Sequence, residues 1–586
     1  GIYYDASRPS RLEALVQQPL SEAQARRAWA LMGQWRGARA SKYNHAREVP
    51  GLARDGDVLV VDQTYGDASI AFGAAGPGRF QRMLEAALDE HPHARILLKV
   101  HPDVIAGRKR GHFAALPPGA ARRVQWLATN AHPPGLLERV SAVYTVTSQM
   151  GFEALLWGRP VHCFGLPFYA GWGLTSDDQP APSRRGSATL AALAHAALIA
   201  YPRYAHPETR ARCEVEELLD WVALQRRQRE RFPPLVAAVG FSAWKRPFVQ
   251  AFFAGSEVRF QGPRKPVPEG AALALWGRRE LPPGAQGLAP ERLVRLEDGF
   301  LRSVGLGAEL VRPLSWVMDR SGLYYDAATP SDLEKLLQSA HFPPALCERA
   351  LALRERILAL GLTKYNVGHA AWQRPPGSRR VLLVVGQVES DAAVKHGAPG
   401  LRTNIGLLRA VREGHPQAYL VYKPHPDVVA RLREQGENEG GARQWCDELV
   451  SDAPMDAMLR QVDEVHVLTS LTGFEALLRG KPVVTWGCPF YAGWGLTTDR
   501  QPMPWRQRRL PLDALVAAVL ILYPTYVSRA SGHFTTPERA LEELQAWRAE
   551  AGTAPGSLGG RAWREAKRWA LRWAQSVRRG WAGAPR

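Results

Sequence analysis

The chain has 586 residues, 46% of them hydrophobic, and carries a formal charge of +19 with a pI near 10.0. No run reaches the 18 apolar residues that a bilayer-spanning helix needs, and the residues from Gly1 onward do not read as a signal peptide. The five cysteines (Cys163, Cys213, Cys347, Cys446, Cys488) show neither CxxC pairing nor histidine clustering, which argues against a disulfide framework or a zinc site and fits a reducing cytosol.

The chain opens on Gly1-Ile-Tyr-Tyr-Asp5, followed by helical composition over Ala23–Met32 and by Lys42-Tyr-Asn44. A strand, Val58–Asp62, leads into Gln63 and, four residues on, Asp67. An aspartate in the turn after a strand is where an α/β sheet places its chemistry, and it also suits a helix cap. A second strand, Arg95–Val100, ends in Lys99-Val-His101-Pro-Asp103. The proline fixes the turn after the histidine, and Lys99 with His101 makes a clamp for a phosphate. A third strand, Ala142–Thr147, runs into Ser148 and a helix. The serine is an N-cap, and free N–H groups at a helix start suit a phosphate. Gly151 would let backbone approach a ligand; Glu153 would cap the helix or accept hydrogen bonds from ribose hydroxyls. A short strand (Pro160–Gly165) follows, then Pro167–Thr175, PFYAGWGLT, whose aromatics suit either stacking on a ligand or packing the loop shut. Leu190–Tyr201 reads as a buried helix and Glu208–Arg231 as a charged one, with Pro233-Pro234 as linker.

The next stretch has a βαβ rhythm without counterpart before Gly1: strands Leu235–Phe241, Glu257–Phe260, Ala272–Trp276 and Arg292–Leu296, a helix Trp244–Phe253, then Glu297-Asp-Gly-Phe-Leu-Arg302-Ser303. Gly1 is therefore expected to lie inside a module whose first part is missing. After this the first half recurs. Gly322-Leu-Tyr-Tyr-Asp326, Lys364-Tyr-Asn366, Val381–Val385 with Gln387 and Asp391, Lys423-Pro-His425-Pro-Asp427, and Ser470 with Gly473 and Glu475 follow in the same order. Thr147–Asp177 and Thr469–Asp499 agree at 22 of 31 positions without a gap, so the two halves are copies of one unit. Leu512–Tyr523 repeats the buried helix. Beyond the linker Gly552–Gly560, the tail 561–586 holds eight Lys/Arg, one acidic residue and four tryptophans, as a helix suited to an anionic membrane surface would. Charge alone favours nucleic acid, but the aromatics follow glycines in loops and do not interleave with arginine on a sheet.

These motifs, EDGFLRSVGLG (Glu297–Gly307), GLYYDA, GQVESDAAV (Gly386–Val394), YKPHPDV (Tyr422–Val428) and TGFEALLRGKPVVTWGCPFYAGWGLT (Thr472–Thr497), resemble the KpsC-type, two-module β-Kdo transferases of Gram-negative capsule export systems. The resemblance covers nearly the whole chain. It implies an α/β fold of tandem GT-B-like modules, each of two Rossmann-type parallel-sheet subdomains, the first module lacking its N-terminal part. The expected domains are 1–231, 232–551 and the basic tail 552–586. It implies a retaining transfer of Kdo from CMP-β-Kdo, building an alternating β-2,4/β-2,7 linker on a lipid. Asp67 and Asp391 are then the nucleophiles. Lys99, His101, Ser148, Gly151 and Glu153, with Lys423, His425, Ser470, Gly473 and Glu475, bind CMP-Kdo. Gln63, Gln387, Arg302, Lys364 and Asn366 are candidates for the Kdo carboxylate or the acceptor. No metal or cofactor is implied, CMP-β-Kdo being a co-substrate. The implied partners are a Kdo-bearing lyso-phosphatidylglycerol, the cytoplasmic face of the inner membrane and other capsule assembly and export proteins. A non-catalytic glycan-binding component of the export machine, or another GT-B-like nucleotide-sugar enzyme, would carry similar motifs.

Overall fold

The computed structural model describes residues 1–113, 115–116, 119–301, 312–364, 370–377 and 380–553, which fall into two compact units, Gly1–Glu230 and Arg231–Arg586. The tryptophan-rich tail, Arg302 and Asn366 lie outside the described residues.

The first unit is built on one six-stranded sheet: β1 (Val58–Val61), β2 (Ile96–Lys99), β3 (Val124–Leu127), β4 (Ala142–Thr145), β5 (Val161–Cys163) and β6 (Ser176–Asp177). All neighbours are parallel, in the order β3-β2-β1-β4-β5-β6. β1, VLVV, is buried along its whole length, as a strand covered on both faces must be. Its alternate residues enter different cores. Val58 and Val60 pack with Phe80, Met83 and Leu84 of the helix Gly78–Glu90, while Leu59 and Val61 pack with Leu31 and Trp35 of the helix Glu22–Gly37.

The expected helix Glu208–Arg231 begins only at Val215. The residues before it form a two-stranded antiparallel ladder, β7 (Tyr204–Ala205) with β8 (Arg212–Cys213), and the Glu214 N–H bonds to Glu217 at the helix start. Charge density alone hides a ladder this short. The buried helix at 190–201 is α-helical over Leu190–Ala194 and π-helical over His195–Ala200.

The second unit carries two sheets. The first contains β9 (Leu235–Val239), β10 (Glu257–Gln261), β11 (Ala272–Trp276), β12 (Leu293–Asp298) and β13 (Ser315–Asp319). The second is β14 (Val381–Val385), β15 (Tyr419–Lys423), β16 (Glu448–Leu449), β17 (Glu464–Val467), β18 (Val483–Thr485) and β19 (Thr498–Asp499), wholly parallel in the order β16-β15-β14-β17-β18-β19. That is the first unit's topology again, strand for strand. The former sheet departs from the all-parallel expectation. It is parallel through β10-β9-β11-β12, then antiparallel through β13, β20 (Pro524–Val527) and β21 (Phe534–Thr535). β20 and β21 return from the far end of the module, a long-range pairing that no local pattern announces. The apolar stretch 512–523 is again α-helical, then π-helical over Ala517–Leu522. No helix among the described residues is long and apolar enough to cross a membrane.

The loop PFYAGWGLT is packed shut in both units. Trp172 and Trp494 are buried, and each indole N–H donates to the carbonyl of the phenylalanine four residues before it, at 2.9 and 2.8 Å. A buried arginine holds the loop from the other side. Arg185 donates to the Pro167 and Ala170 carbonyls and pairs with Glu13 at 2.7 Å; Arg506 donates to Pro489 and Ala492 and pairs with Glu334 at 3.3 Å. Removing one partner of a buried pair strands the other charge and the carbonyls it served. Arg506→Ala is therefore expected to destabilise the second unit by about 3–5 kcal/mol. Loss of the exposed Arg26–Glu22 pair should cost about 0.5 kcal/mol or less. Chemical denaturation of the two variants measures the contrast.

Candidate active sites

In the shared strand order, chain connections leave in opposite directions from the first and fourth strands of the sheet, opening a crevice at their carboxyl ends. Each crevice is a cavity, about 580 Å³ in the first unit and about 480 Å³ in the second. Gln63, Asp67, Lys99, His101, Ser148 and Glu153 line the first; Gln387, Asp391, Lys423, His425, Ser470 and Glu475 line the second. Lys42 and Lys364 also line them. Residues far apart in sequence thus converge twice on one arrangement.

Asp67 and Asp391 are the N-caps of short helices, Ala68–Phe72 and Ala392–Gly397. Asp67 Oδ1 accepts the Ser69 N–H at 2.9 Å, so the capping and site readings hold together. His101 Nδ1 accepts the Asp103 N–H at 3.1 Å, and His425 Nδ1 accepts that of Asp427 at the same distance. An acceptor Nδ1 puts the proton of a neutral ring on Nε2, which becomes a donor. Burial holds both rings neutral, His425 pushed down to about 4 by burial and then by the Lys364 charge. Burial also brings Lys99 and Lys423 down to about 8. Ser148 and Ser470 cap the helices Gln149–Leu156 and Leu471–Leu478, accepting the N–H two residues on.

Three assignments change. Gly151 and Gly473 are not among the residues lining the cavities. A side chain on either would collide with Tyr169 or Tyr491, whose hydroxyl donates to the carbonyl of Ser148 or Ser470. The glycines make room for an anchor behind the helix start. Gln63 and Gln387 are spent between strand ends: the Gln63 amide accepts the Thr147 N–H at 2.9 Å and donates to the Thr147 hydroxyl at 3.0 Å, and Gln387 does the same with Thr469 at 2.8 and 3.1 Å. They line the cavity as clamps, not as free amides. Glu153 and Glu475 do not cap their helices. Each accepts a loop N–H, from Lys42 at 2.9 Å and Lys364 at 2.7 Å, and so ties that lysine's backbone to the helix start. Burial pushes Glu153 up to about 7 and Glu475 in the same direction, and Glu153 Oε2 keeps no hydrogen-bond partner among the described residues. Asn44, the first-unit partner of Asn366, is used within its own turn on Ser41.

Other residues belong to the sites without having been assigned to them. Tyr3 and Tyr4 line the first cavity, Tyr324 and Tyr325 the second; their signal was the repeated Gly-x-Tyr-Tyr-Asp. Glu297, near the end of β12, accepts from the Tyr325 hydroxyl at 3.4 Å, and burial, with the charges of Asp298 and Asp391, raises its carboxyl. A His415–Glu464–His466 cluster has the spacing of metal ligands, but none of the three lines the cavity. His466 Nε2 faces Glu464 at 2.8 Å and its Nδ1 accepts the Trp486 indole N–H, so both ring nitrogens are engaged. Gly473→Ala is expected to destabilise the second unit by about 1–3 kcal/mol through overpacking on Tyr491. Adding Tyr491→Phe, which removes the closest atom, should recover part of the loss in thermal unfolding.

The family model described as "Capsule polysaccharide biosynthesis protein" matches residues 29–204 and 272–529. The capsule polysaccharide modification protein LipA of Neisseria meningitidis serogroup A is 41% identical over 571 residues, covering 93% of this chain and 80% of that protein. The lipopolysaccharide-processing protein LpsZ of Rhizobium meliloti is 39% identical over 329 residues, covering 53% of this chain and 74% of that protein. Among solved structures, the β-Kdo 2,7 transferase of Thermosulfurimonas dismutans KpsC is 37% identical, covering 53% of this chain and 99% of that one with a TM-score of 0.44. The β-Kdo 2,4 transferase of the same protein is 32% identical, covering 53% and 98% with a TM-score of 0.48. With the family model spanning both modules and the LipA similarity running almost end to end, this chain belongs to the capsule polysaccharide biosynthesis protein family.

Proposed function

We propose that the chain is a retaining glycosyltransferase that moves Kdo from CMP-β-Kdo onto a Kdo-bearing lipid, once in each module. The observation that carries this reading is the duplicated cavity: a carboxylate, a lysine, a histidine that accepts at Nδ1 and a capped helix start all line one crevice. The lysine, the histidine and the helix N–H groups suit a leaving phosphate. The carboxylate suits a nucleophile. Donor and product would share the β configuration, which two displacements preserve.

In the first displacement, Asp391 attacks the anomeric carbon of Kdo. The bond from that carbon to the phosphate oxygen breaks, and its electron pair leaves with CMP. His425 and Lys423 meet the charge that develops on the phosphate. In the second, an acceptor hydroxyl attacks the same carbon, the aspartyl ester bond breaks, and Asp391 recovers its electron pair. The hydroxyl proton passes to a general base in the crevice as the new bond forms. Asp67, His101 and Lys99 match Asp391, His425 and Lys423 in the first module. Glu153 and Glu475 would accept from ribose hydroxyls, and Lys42 and Lys364 would meet the Kdo carboxylate. The acceptor would be a Kdo-bearing lyso-phosphatidylglycerol presented at the cytoplasmic face of the inner membrane, with other capsule assembly and export proteins taking the product.

Incubation with CMP-Kdo and a Kdo-lipid mimic tests this. Asp391→Asn and Asp67→Asn should each lower one linkage on the order of 10³-fold or more, and mass spectrometry of the stalled enzyme should find Kdo esterified to the remaining aspartate. Full activity in Asp391→Asn would sink the assignment; no CMP release from the unsubstituted protein would favour the glycan-binding reading. Donor affinity should also depend on pH in one direction. Lys99 and Lys423 are charged below about 8 and lose that charge above it. Affinity for CMP is therefore expected to hold between about pH 6 and 7 and to weaken as pH rises through 8, while His425, neutral above about 4, contributes no step in this range.

A further inference from the structure

No motif marks the turn after each His-Pro-Asp helix, and the two copies share little sequence there: residues 106–113 read AGRKRGHF and residues 430–437 read ARLREQGE. They nevertheless fold alike. The Asp103 carbonyl accepts the N–H groups of Arg108 and Lys109 at 2.9 and 3.1 Å, and the Asp427 carbonyl accepts those of Leu432 and Arg433 at 2.8 and 3.1 Å. Lys109 and Arg433 therefore hold one position, each eight residues beyond its histidine.

The return path of each turn is pinned as well, by different means. In the first unit Gly111 packs on the Asp62 carboxylate, which accepts the His112 N–H at 3.1 Å. In the second, the residue matching Asp62 is Gly386, and Glu389 replaces the missing carboxylate. Gly436 packs on it, and the Glu437 N–H donates to it at 2.8 Å. A merely solvated loop would not need two unrelated anchors to reach one shape. What the shape holds in both cases is a cation on the turn that follows the histidine. Lys109 lines the first cavity, and its nearest acidic partner, Asp103, is 3.9 Å away, so the pair is loose. Arg433 sits at the matching position of the turn without lining the second cavity, and its charge opposes a proton on His425 as that of Lys109 does on His101.

We propose that Lys109 and Arg433 bind an anionic group of the nucleotide-sugar donor, each completing with the charged lysine and the neutral histidine of its module a three-sided cradle of hydrogen-bond donors. The inference rests on the donor reading above. Calorimetric titration of the full chain with CMP tests it, using Lys109→Gln with Arg433→Gln and, as charge-keeping controls, Lys109→Arg with Arg433→Lys. Both side chains are exposed, so thermal midpoints should not move. The neutral double variant is expected to bind CMP roughly tenfold more weakly. The charge-keeping pair should regain most of that affinity, and the difference should shrink at high salt. Equal affinity in the neutral variant and the unsubstituted chain overturns the inference and leaves the donor reading standing. A loss shared equally by the charge-keeping pair also overturns it, since the side chains would then be shaping the turn. Absence of saturable CMP binding to the unsubstituted chain overturns both.

Discussion

The two-handed bond between a glutamine at the end of one strand and a threonine at the end of its neighbour organises each module. Gln63 and Gln387 both accept and donate across the gap between the central strands, to Thr147 and Thr469. The gap is where the connections part to opposite faces, so no continuous backbone ladder closes it at that level. A buried amide left unpaired costs about 1–3 kcal/mol, so the clamp resists opening. It sets the distance between the aspartate that follows the first strand and the helix that follows the fourth. The tyrosine behind the helix start and the carboxylate holding the Lys42 or Lys364 backbone extend the same rigidity outward. A charge-stabilising site works best when its dipoles need not move as the charge appears, and this scaffold supplies that condition.

The electrostatics of the cavities follow from burial. Each lysine is taken out of water without a carboxylate in direct contact among the described ion pairs. Lys423 donates to the Ala453 carbonyl at 2.7 Å, and Lys99 feels Glu153 only through space. Each histidine is neutral and directional. A buried lysine beside a neutral histidine that carries its proton on Nε2 suits a phosphate. The net +19 of the chain, dispersed over both modules, says far less about ligands than these few placed groups do.

Much of this was legible in the residues, because the chain states its case twice. β14 runs over the expected residues Val381–Val385, and β1 differs from expectation by one residue, since a strand buried on both faces is an uninterrupted apolar run. The serine N-caps were equally plain. The errors share a cause. Gly151 and Gln63 suggest outward roles, toward a ligand, when each is used inward on a partner more than a dozen residues away: Tyr169 and Thr147. Local spacing shows that a polar or small residue sits at a strand end; it does not show which side of the crevice wall its atoms serve. The antiparallel edge of the seven-stranded sheet escaped for a similar reason, because β20 pairs with β13 across about two hundred residues of chain.

The widened helical turns at His195–Ala200 and Ala517–Leu522 have a historical consequence. Such a turn is rare, and it spaces its hydrogen bonds less favourably than ordinary helix. Drift acting on two independent halves would be expected to repair one of them. Both keep it, over matching residues that agree in only part of their sequence, HAALIA in one and AAVLIL in the other. The irregularity was therefore already present in the single ancestral unit, and it serves as a birthmark by which a one-module descendant of that ancestor could be recognised.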